Sequence, residues 1–251
     1  MKKSLVLLLI SSLVSGLYAR QPRTVVEPPF AFRNSGTLEI ERIELAPEST
    51  TVYIQAYFRP HNWIRISSET YIRAGAEGEK LTVRSADGMP LDTEFYMPET
   101  GRHDFSLSFP PVDPKTAKID LIESDCPDCF KIYDIDLTGK KAKPGRSALA
   151  KKYKKTAPLT GNFTVPVVSD SPARIAGAIT GYDPRFFDRI EIAFYSPIVG
   201  DGATELKVPV RADGSFETEL NILTPICGTL FLPGFVTLPF YAEPGRETAL
   251  E

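Results

Sequence analysis

Thr51-Val-Tyr-Ile-Gln-Ala-Tyr-Phe58 sets Val52, Ile54 and Ala56 on one side of an extended chain and Tyr53, Gln55 and Tyr57 on the other. Alternation at a period of two marks a strand with one buried and one wet face. The same rhythm runs outward in both directions. Upstream it is carried by Leu38, Ile40, Ile43 and Leu45. Downstream it continues through Trp63-Ile-Arg-Ile66, Tyr71-Ile72, Leu81-Thr-Val83, Asp104-Phe-Ser-Leu-Ser-Phe109, Lys118-Ile-Asp-Leu-Ile122 and Phe130 to Leu137. Turn signals such as Asp87-Gly88 separate the runs. Roughly seven short strands in roughly 100 residues is the count of an immunoglobulin-like sandwich. The Cys…Trp…Cys spacing of antibody domains is missing, so the architecture alone is implied.

The rhythm stops after Leu137 and resumes at Asn162. Between them lie Gly139, Pro144 and Gly145, together with Lys140, Lys141, Lys143, Arg146, Lys151, Lys152, Lys154 and Lys155. No acidic residue falls between Leu137 and Ser169, although the whole chain carries a net charge of −3. An otherwise acidic body is thus divided by a basic segment, which reads as a linker. Further strands follow at Phe163-Thr-Val165, Arg174 to Thr180, Ile190 to Phe194, Glu205 to Val210, Ser215 to Leu220, Thr229 to Leu232 and Leu238 to Ala242. Asp213-Gly214 between two of these runs signals a hairpin. The 22 prolines of the 251 residues sit mostly between the runs, as expected for a residue that cannot donate to a β ladder. The expected organisation is all-β: an immunoglobulin-like sandwich over 30–138, a basic linker over 139–160 and a second sandwich over 161–251. Glu247-Thr-Ala-Leu-Glu251 reads as a strand cut at its end, so truncation of the second sandwich is expected.

Lys2 and Lys3 precede an apolar run from Ser4 to Val14, then the small residues Ser15 and Gly16. This is the pattern of a secretory signal peptide over residues 1–19, with cleavage after Gly16 or Ala19. The run is shorter than the roughly 20 residues that span a bilayer. No cysteine follows it, which argues against a lipid anchor, and no second long apolar stretch occurs. A periplasmic or secreted protein is expected, with no transmembrane segment in the mature chain.

Groups that could carry chemistry are scattered. Cys126-Pro-Asp-Cys129 reads first as a structural disulfide or quiet thiol pair at a hairpin tip. A zinc half-site and a redox-active pair are the alternatives. Redox activity needs a stabilised thiolate at a helix N-terminus or beside a cation. Here the chain continues as a strand, and Glu123, Asp125 and Asp128 place negative charge nearby. Zinc needs further ligands, and His61, His103 and Cys227 lack useful spacing. Cys227, beside Ile226, reads as a buried thiol, with an intermolecular or reactive thiol as the alternative, and the two histidines read as loop residues on the surface. Carboxylates on the alternating strands read as the solvated face. No Gly-x-Ser-x-Gly, His-Glu-x-x-His or phosphate-cradling glycine loop occurs, so no catalytic residue, metal or cofactor is expected. Tyr57, Phe58, His61 and Trp63 cluster around Pro60. Trp63 fits best as an inward core residue, while Tyr57, Phe58 and Trp63 are the candidate ligand-contact aromatics if they lie outside. The basic segment is a solvated linker or a contact for an anionic surface. Export argues against nucleic acid and leaves an envelope protein or a glycan as partner.

Two sets of phrases carry a resemblance. The first is Phe32-Arg-Asn-Ser-Gly-Thr-Leu-Glu-Ile-Glu-Arg-Ile-Glu-Leu45, Tyr57-Phe-Arg-Pro-His-Asn-Trp-Ile-Arg-Ile66 and Ile122-Glu-Ser-Asp-Cys-Pro-Asp-Cys-Phe-Lys-Ile132. The second is Ile179-Thr-Gly-Tyr-Asp-Pro184 with Phe240-Tyr-Ala-Glu-Pro-Gly245. Together they resemble the N-terminal region of exported TlpA-like, thioredoxin-family proteins of Gram-negative envelopes, in which β-domains precede a thioredoxin domain. No Trp-Cys-x-x-Cys lies at a strand-to-helix junction, so the resemblance implies an accessory region and assigns redox activity to no residue. The second half, through its strand spacing and Ala212-Asp-Gly-Ser-Phe216, is similar to a carboxypeptidase regulatory-like sandwich. The expected function is a non-catalytic envelope protein whose two modules bind or position a partner. The alternatives are the accessory region of a TlpA-like oxidoreductase and a carbohydrate-binding module.

Overall fold

The alternation at Thr51–Phe58 becomes β4 (Thr50–Tyr57), in which Thr50, Val52, Ile54 and Ala56 are buried. The computed structural model describes residues 22–126, 129–139, 165, 168–196, 202–234 and 236–250. The expected signal peptide and nearly all of the basic segment lie outside them. Among the described residues every helix or strand assigned is a strand, so the chain is all-β. None of its elements is a helix long and apolar enough to cross a membrane.

β4 pairs antiparallel with β3 (Leu38–Leu45) and β10 (Arg102–Phe109), and β1 (Arg23–Val26) and β8 (Ser85–Asp87) complete the sheet in the order β1-β3-β4-β10-β8. A second sheet has the order β2-β12-β11-β6-β7, from β2 (Phe32–Arg33), β6 (Tyr71–Arg73), β7 (Leu81–Thr82), β11 (Lys118–Ile122) and β12 (Lys131–Asp136). Ile43, Val52, Ile54, Leu107 and Phe109 of the first meet Ile72, Ile119, Leu121 and Ile135 of the second in one core. Each of these side chains is almost wholly withdrawn from water, and apolar burial of this kind is the main force stacking the sheets. A ribbon of β5 (Trp63–Ile64) and β9 (Phe95–Tyr96) lies beside them.

The later residues form two sheets about a second core. β13 (Ala173–Ala178) lies between β16 (Ser215–Leu220) and β19 (Glu247–Leu250), the last running parallel to it. The other sheet runs β15-β14-β17-β18, from β14 (Arg189–Tyr195), β15 (Ala203–Pro209), β17 (Ile226–Leu232) and β18 (Val236–Ala242). Two cross-strand pairs set a glycine under a phenylalanine: Gly177 opposite Phe216 and Gly228 opposite Phe240. In both, the ring occupies the space a glycine Cβ would need.

Two expectations change here. Asp213-Gly214 does form a tight turn, with the Gly214 N–H donating to the Arg211 carbonyl at 2.8 Å. The strands it joins enter different sheets, so it is a corner and not a hairpin. Cys227 is exposed, not buried. Along β17 the inward positions belong to Ile226 and Leu230, and Cys227 pairs with the exposed Tyr241.

The two halves meet at a polar clasp. Between β11 and β12 the register slips, so that Tyr133 and Asp134 together oppose Asp120. Such a bulge re-aims side chains. Asp134 takes a φ of 54° there, and the Asp120 carboxylate accepts its N–H at 3.0 Å. Both carboxylates thereby face the segment 179–188, between β13 and β14. Arg185 of that segment donates to Asp120 at 3.0 Å, to Asp134 at 2.9 Å and to Asp183 at 3.0 Å. Asp120 is 0% exposed and also accepts from Arg73 at 3.2 Å, so the strand carboxylates are not uniformly the solvated face. Phe186 stacks on Phe32 at 5.0 Å and packs on Tyr133 at 5.5 Å. Hydrogen bonding to Asp183 holds the Arg185 guanidinium protonated despite its burial, with Asp134 and the charge of Asp120 adding to it. Arg185 in turn holds the Asp183 carboxyl below the usual range. Burial pushes Asp134 up, but Arg185 and Lys118 outweigh it and leave it low.

Candidate binding site

The turn joining β11 to β12 carries the cysteines, and the structure joins Cys126 to Cys129 with Cα atoms 5.4 Å apart. The Asn34 side chain bridges the far side of this turn. Its Nδ2 donates to the Cys129 carbonyl at 2.8 Å and its Oδ1 accepts the Lys131 N–H at 2.7 Å. Ser124 accepts the Cys126 N–H at 3.3 Å and sits 3.4 Å from the Cys129 sulfur. Asp125 accepts from Lys80 at 2.6 Å and from Tyr71 at 3.0 Å. Those two bonds, that of Lys80 foremost, keep its carboxyl below the usual range. A strand, β12, follows Cys129 after Phe130, and among the described residues no helix lies behind either sulfur. The crosslink and these hydrogen bonds pin the turn.

Beside this turn opens a cleft of about 350 Å³. Ile64, Arg65 and Ile66 form part of its lining, Glu123 and Phe130 of the cystine turn another, with Phe58, Asn34 and Ser35 also facing it. Burial pushes the Glu123 carboxyl up, against the pull of the Phe130 N–H and the Arg65 charge. Arg65 is exposed. A cavity combining apolar walls with a few converging polar groups is the usual form of a small-ligand site.

Of the expected aromatics, Phe58 lines this cleft, and β5 reaches it through Ile64, the neighbour of Trp63. Tyr57 and Phe58 are each 41% exposed, and Trp63 is 48% exposed, not a core residue. The reason lies in the ribbon: β5 and β9 pair Trp63 with Tyr96 and Ile64 with Phe95. Directly opposed residues share a face, so the inward face goes to Ile64 and Phe95, and Trp63 and Tyr96 point outward together. Tyr96, 60% exposed, has no place in the expected cluster. Its signal is the short run Glu94-Phe-Tyr-Met97, which lacks the alternation of the longer strands. His61 is an exposed loop residue 3.9 Å from Glu99. His103, expected in a loop, lies on β10, its ring centroid 4.1 Å from that of Phe95 and tilted to it. No cluster of three or more histidine, cysteine or acidic residues able to hold a metal ion occurs among the described residues.

The fold therefore defines an all-β protein with a mixed polar and aromatic cleft. No known protein family matches the chain, and neither does any curated protein. It is similar to solved structures of pullulanases, at levels too slight to bear on its function. Against pullulanase type I from Bacillus subtilis str. 168 complexed with maltose, the TM-score is 0.28 at 8% identity, covering 76% of this chain and 23% of that one. Against pullulanase from Anoxybacillus sp. LM18-11 the TM-score is 0.26 at 8% identity, covering 76% and 24%. The chain thus spans about a quarter of the length of the proteins it matches.

Proposed function

We infer that the chain is a non-catalytic protein of the cell envelope, periplasmic or secreted, whose two β-sandwich units bind and position a partner. The observation that carries this reading is the Arg185 clasp, which ties 179–188 to a buried carboxylate of the first unit. A positioning protein needs a fixed angle between its units, and a guanidinium shared by three carboxylates supplies direction as well as attraction. The Cys126–Cys129 crosslink supports export, because disulfides persist in oxidising compartments. A second reading, the accessory region of a TlpA-like protein, is favoured by one detail. Phe32 and Tyr182, from the two sets of phrases that carry that resemblance, both lie at the junction, in contact with Phe186.

The test is an insulin-reduction assay on the purified chain with dithiothreitol as electron donor. A rate equal to the uncatalysed control is expected. Turnover that disappears in Cys126→Ser would overturn the non-catalytic reading.

A further inference from the structure

The β5–β9 ribbon is amphipathic across only two residue pairs. Its inner face is anchored by Ile64 and Phe95 on the first core. The ladder extends beyond it, with the His61 N–H donating to Met97 at 3.0 Å and the Met97 N–H to Asn62 at 2.9 Å. Met97 itself is buried in that core. Trp63 and Tyr96 are consequently presented side by side on a fixed backbone, while Asn62, Arg65, Glu94 and Glu99 around them are exposed and polar. Tyr96 donates its hydroxyl to Glu94 at 3.0 Å.

Trp63 and Tyr96 stand among charged and amide groups and not within a contiguous apolar patch. They suit a ligand that is apolar on its faces and rich in hydroxyls at its edges, which is the chemistry of a sugar ring. The adjoining cleft continues that chemistry with Phe58, Arg65 and Glu123. We propose that the Trp63–Tyr96 ribbon and this cleft together bind a neutral oligosaccharide. One sugar stacks on the two rings, and the chain runs toward Arg65 and Glu123, whose charged groups meet its hydroxyls. The proposal rests on the binding reading above and gives that reading its ligand class.

Trp63 is the single tryptophan of the chain, so its emission reports this site alone. The experiment titrates the full mature chain with maltohexaose, cellohexaose, chitohexaose and mannohexaose, following tryptophan emission. The expected result is a saturable blue shift with at least one of them. Tyr96→Ala is expected to weaken it by about tenfold or more, the scale of one lost aromatic contact. Arg65→Ala, which leaves the ribbon intact, is expected to weaken it as well. Thermal unfolding of both variants, unchanged from the parent, separates lost contacts from lost fold. No saturable shift with any of the four up to millimolar concentration overturns the proposal, as does unaltered affinity in Tyr96→Ala. Chromatography of the same mixtures distinguishes the two readings. Binding with intact sugar supports both, whereas cleavage of the sugar keeps the site and defeats the non-catalytic reading.

Discussion

Replacing Arg185 with alanine removes three charge-assisted bonds at once, to Asp120, Asp134 and Asp183. It leaves Asp120, which is 0% exposed, with Arg73 as its remaining cation at 3.2 Å. Removing one partner of a buried ion pair costs about 3–5 kcal/mol, because the other charge stays buried. Two features reduce that figure. Arg73 still compensates Asp120, and the Arg185 side chain is 21% exposed, so water reaches part of the site. The lost packing of the guanidinium over Tyr133, at 5.5 Å, adds a little back. The expected loss is about 2–4 kcal/mol, or a fall in Tm of roughly 5–15 °C for a chain of this size. Scanning calorimetry of Arg185→Ala, Asp134→Ala and the double variant measures it. The two single changes should couple by at least about 1 kcal/mol, since residues sharing one network do not add. Additivity within about 0.5 kcal/mol, with a midpoint equal to the parent's, would refute the clasp as a source of stability.

Acid should act through the same residues. Asp134 and Asp183 both titrate below their ordinary value in the folded chain. A depressed carboxyl contributes stability above its unfolded pKa, about 3.9, and loses it as pH falls through the folded value. Denaturant midpoints should therefore hold steady above about pH 5 and fall below about pH 4, with a shallower fall in Arg185→Ala. An equal fall in both would contradict the assignment. Gly234 has a φ of 89°, and a Cβ there would lie 2.5 Å from the Arg33 carbonyl. Gly234→Ala should cost about 1–3 kcal/mol by strain and overpacking at the same junction, read as a lowered denaturant midpoint. The disulfide closes a loop of sequence separation 3, for which loop entropy implies roughly 2 kcal/mol. Cys126→Ser with Cys129→Ser should lower stability by about that amount. Native, unreduced protein should release one equivalent of thionitrobenzoate from Ellman's reagent, through the exposed Cys227; none would contradict its placement.

Much of the architecture was legible in the sequence because burial on one face imposes a period of two. Thr51–Phe58 and Asp104–Phe109 show it plainly, and both became long central strands. The period is easily misread where strands are short. In Trp63-Ile-Arg-Ile66 the alternation sets Arg65 on the side of Trp63, with Ile64 and Ile66 buried on the other. Expecting Trp63 inside weighs ring size above that alternation, and the pairing with Phe95-Tyr96 agrees with the alternation. Cys227 shows the same weakness, since one step of register exchanges it with Ile226. Asp213-Gly214 specified a turn, but local turn chemistry does not say which sheet the next strand joins. The clasp was hidden for another reason. Lys118-Ile-Asp-Leu-Ile122 alternates as if Asp120 faced water, and in a sense it does face outward from its own sheet. What buries it is Arg185, 65 residues further on, through a bulge that no short-range pattern announces.

On the proposed reading, Arg185 makes one body of the two β units and holds the cleft at a fixed angle to the second. Residual dipolar couplings of backbone amides measure this directly in solution. Couplings from 38–136 and from 173–250 should fit a single alignment tensor in the parent chain and two different tensors in Arg185→Ala. Two tensors already in the parent would show that the clasp does not hold the units together.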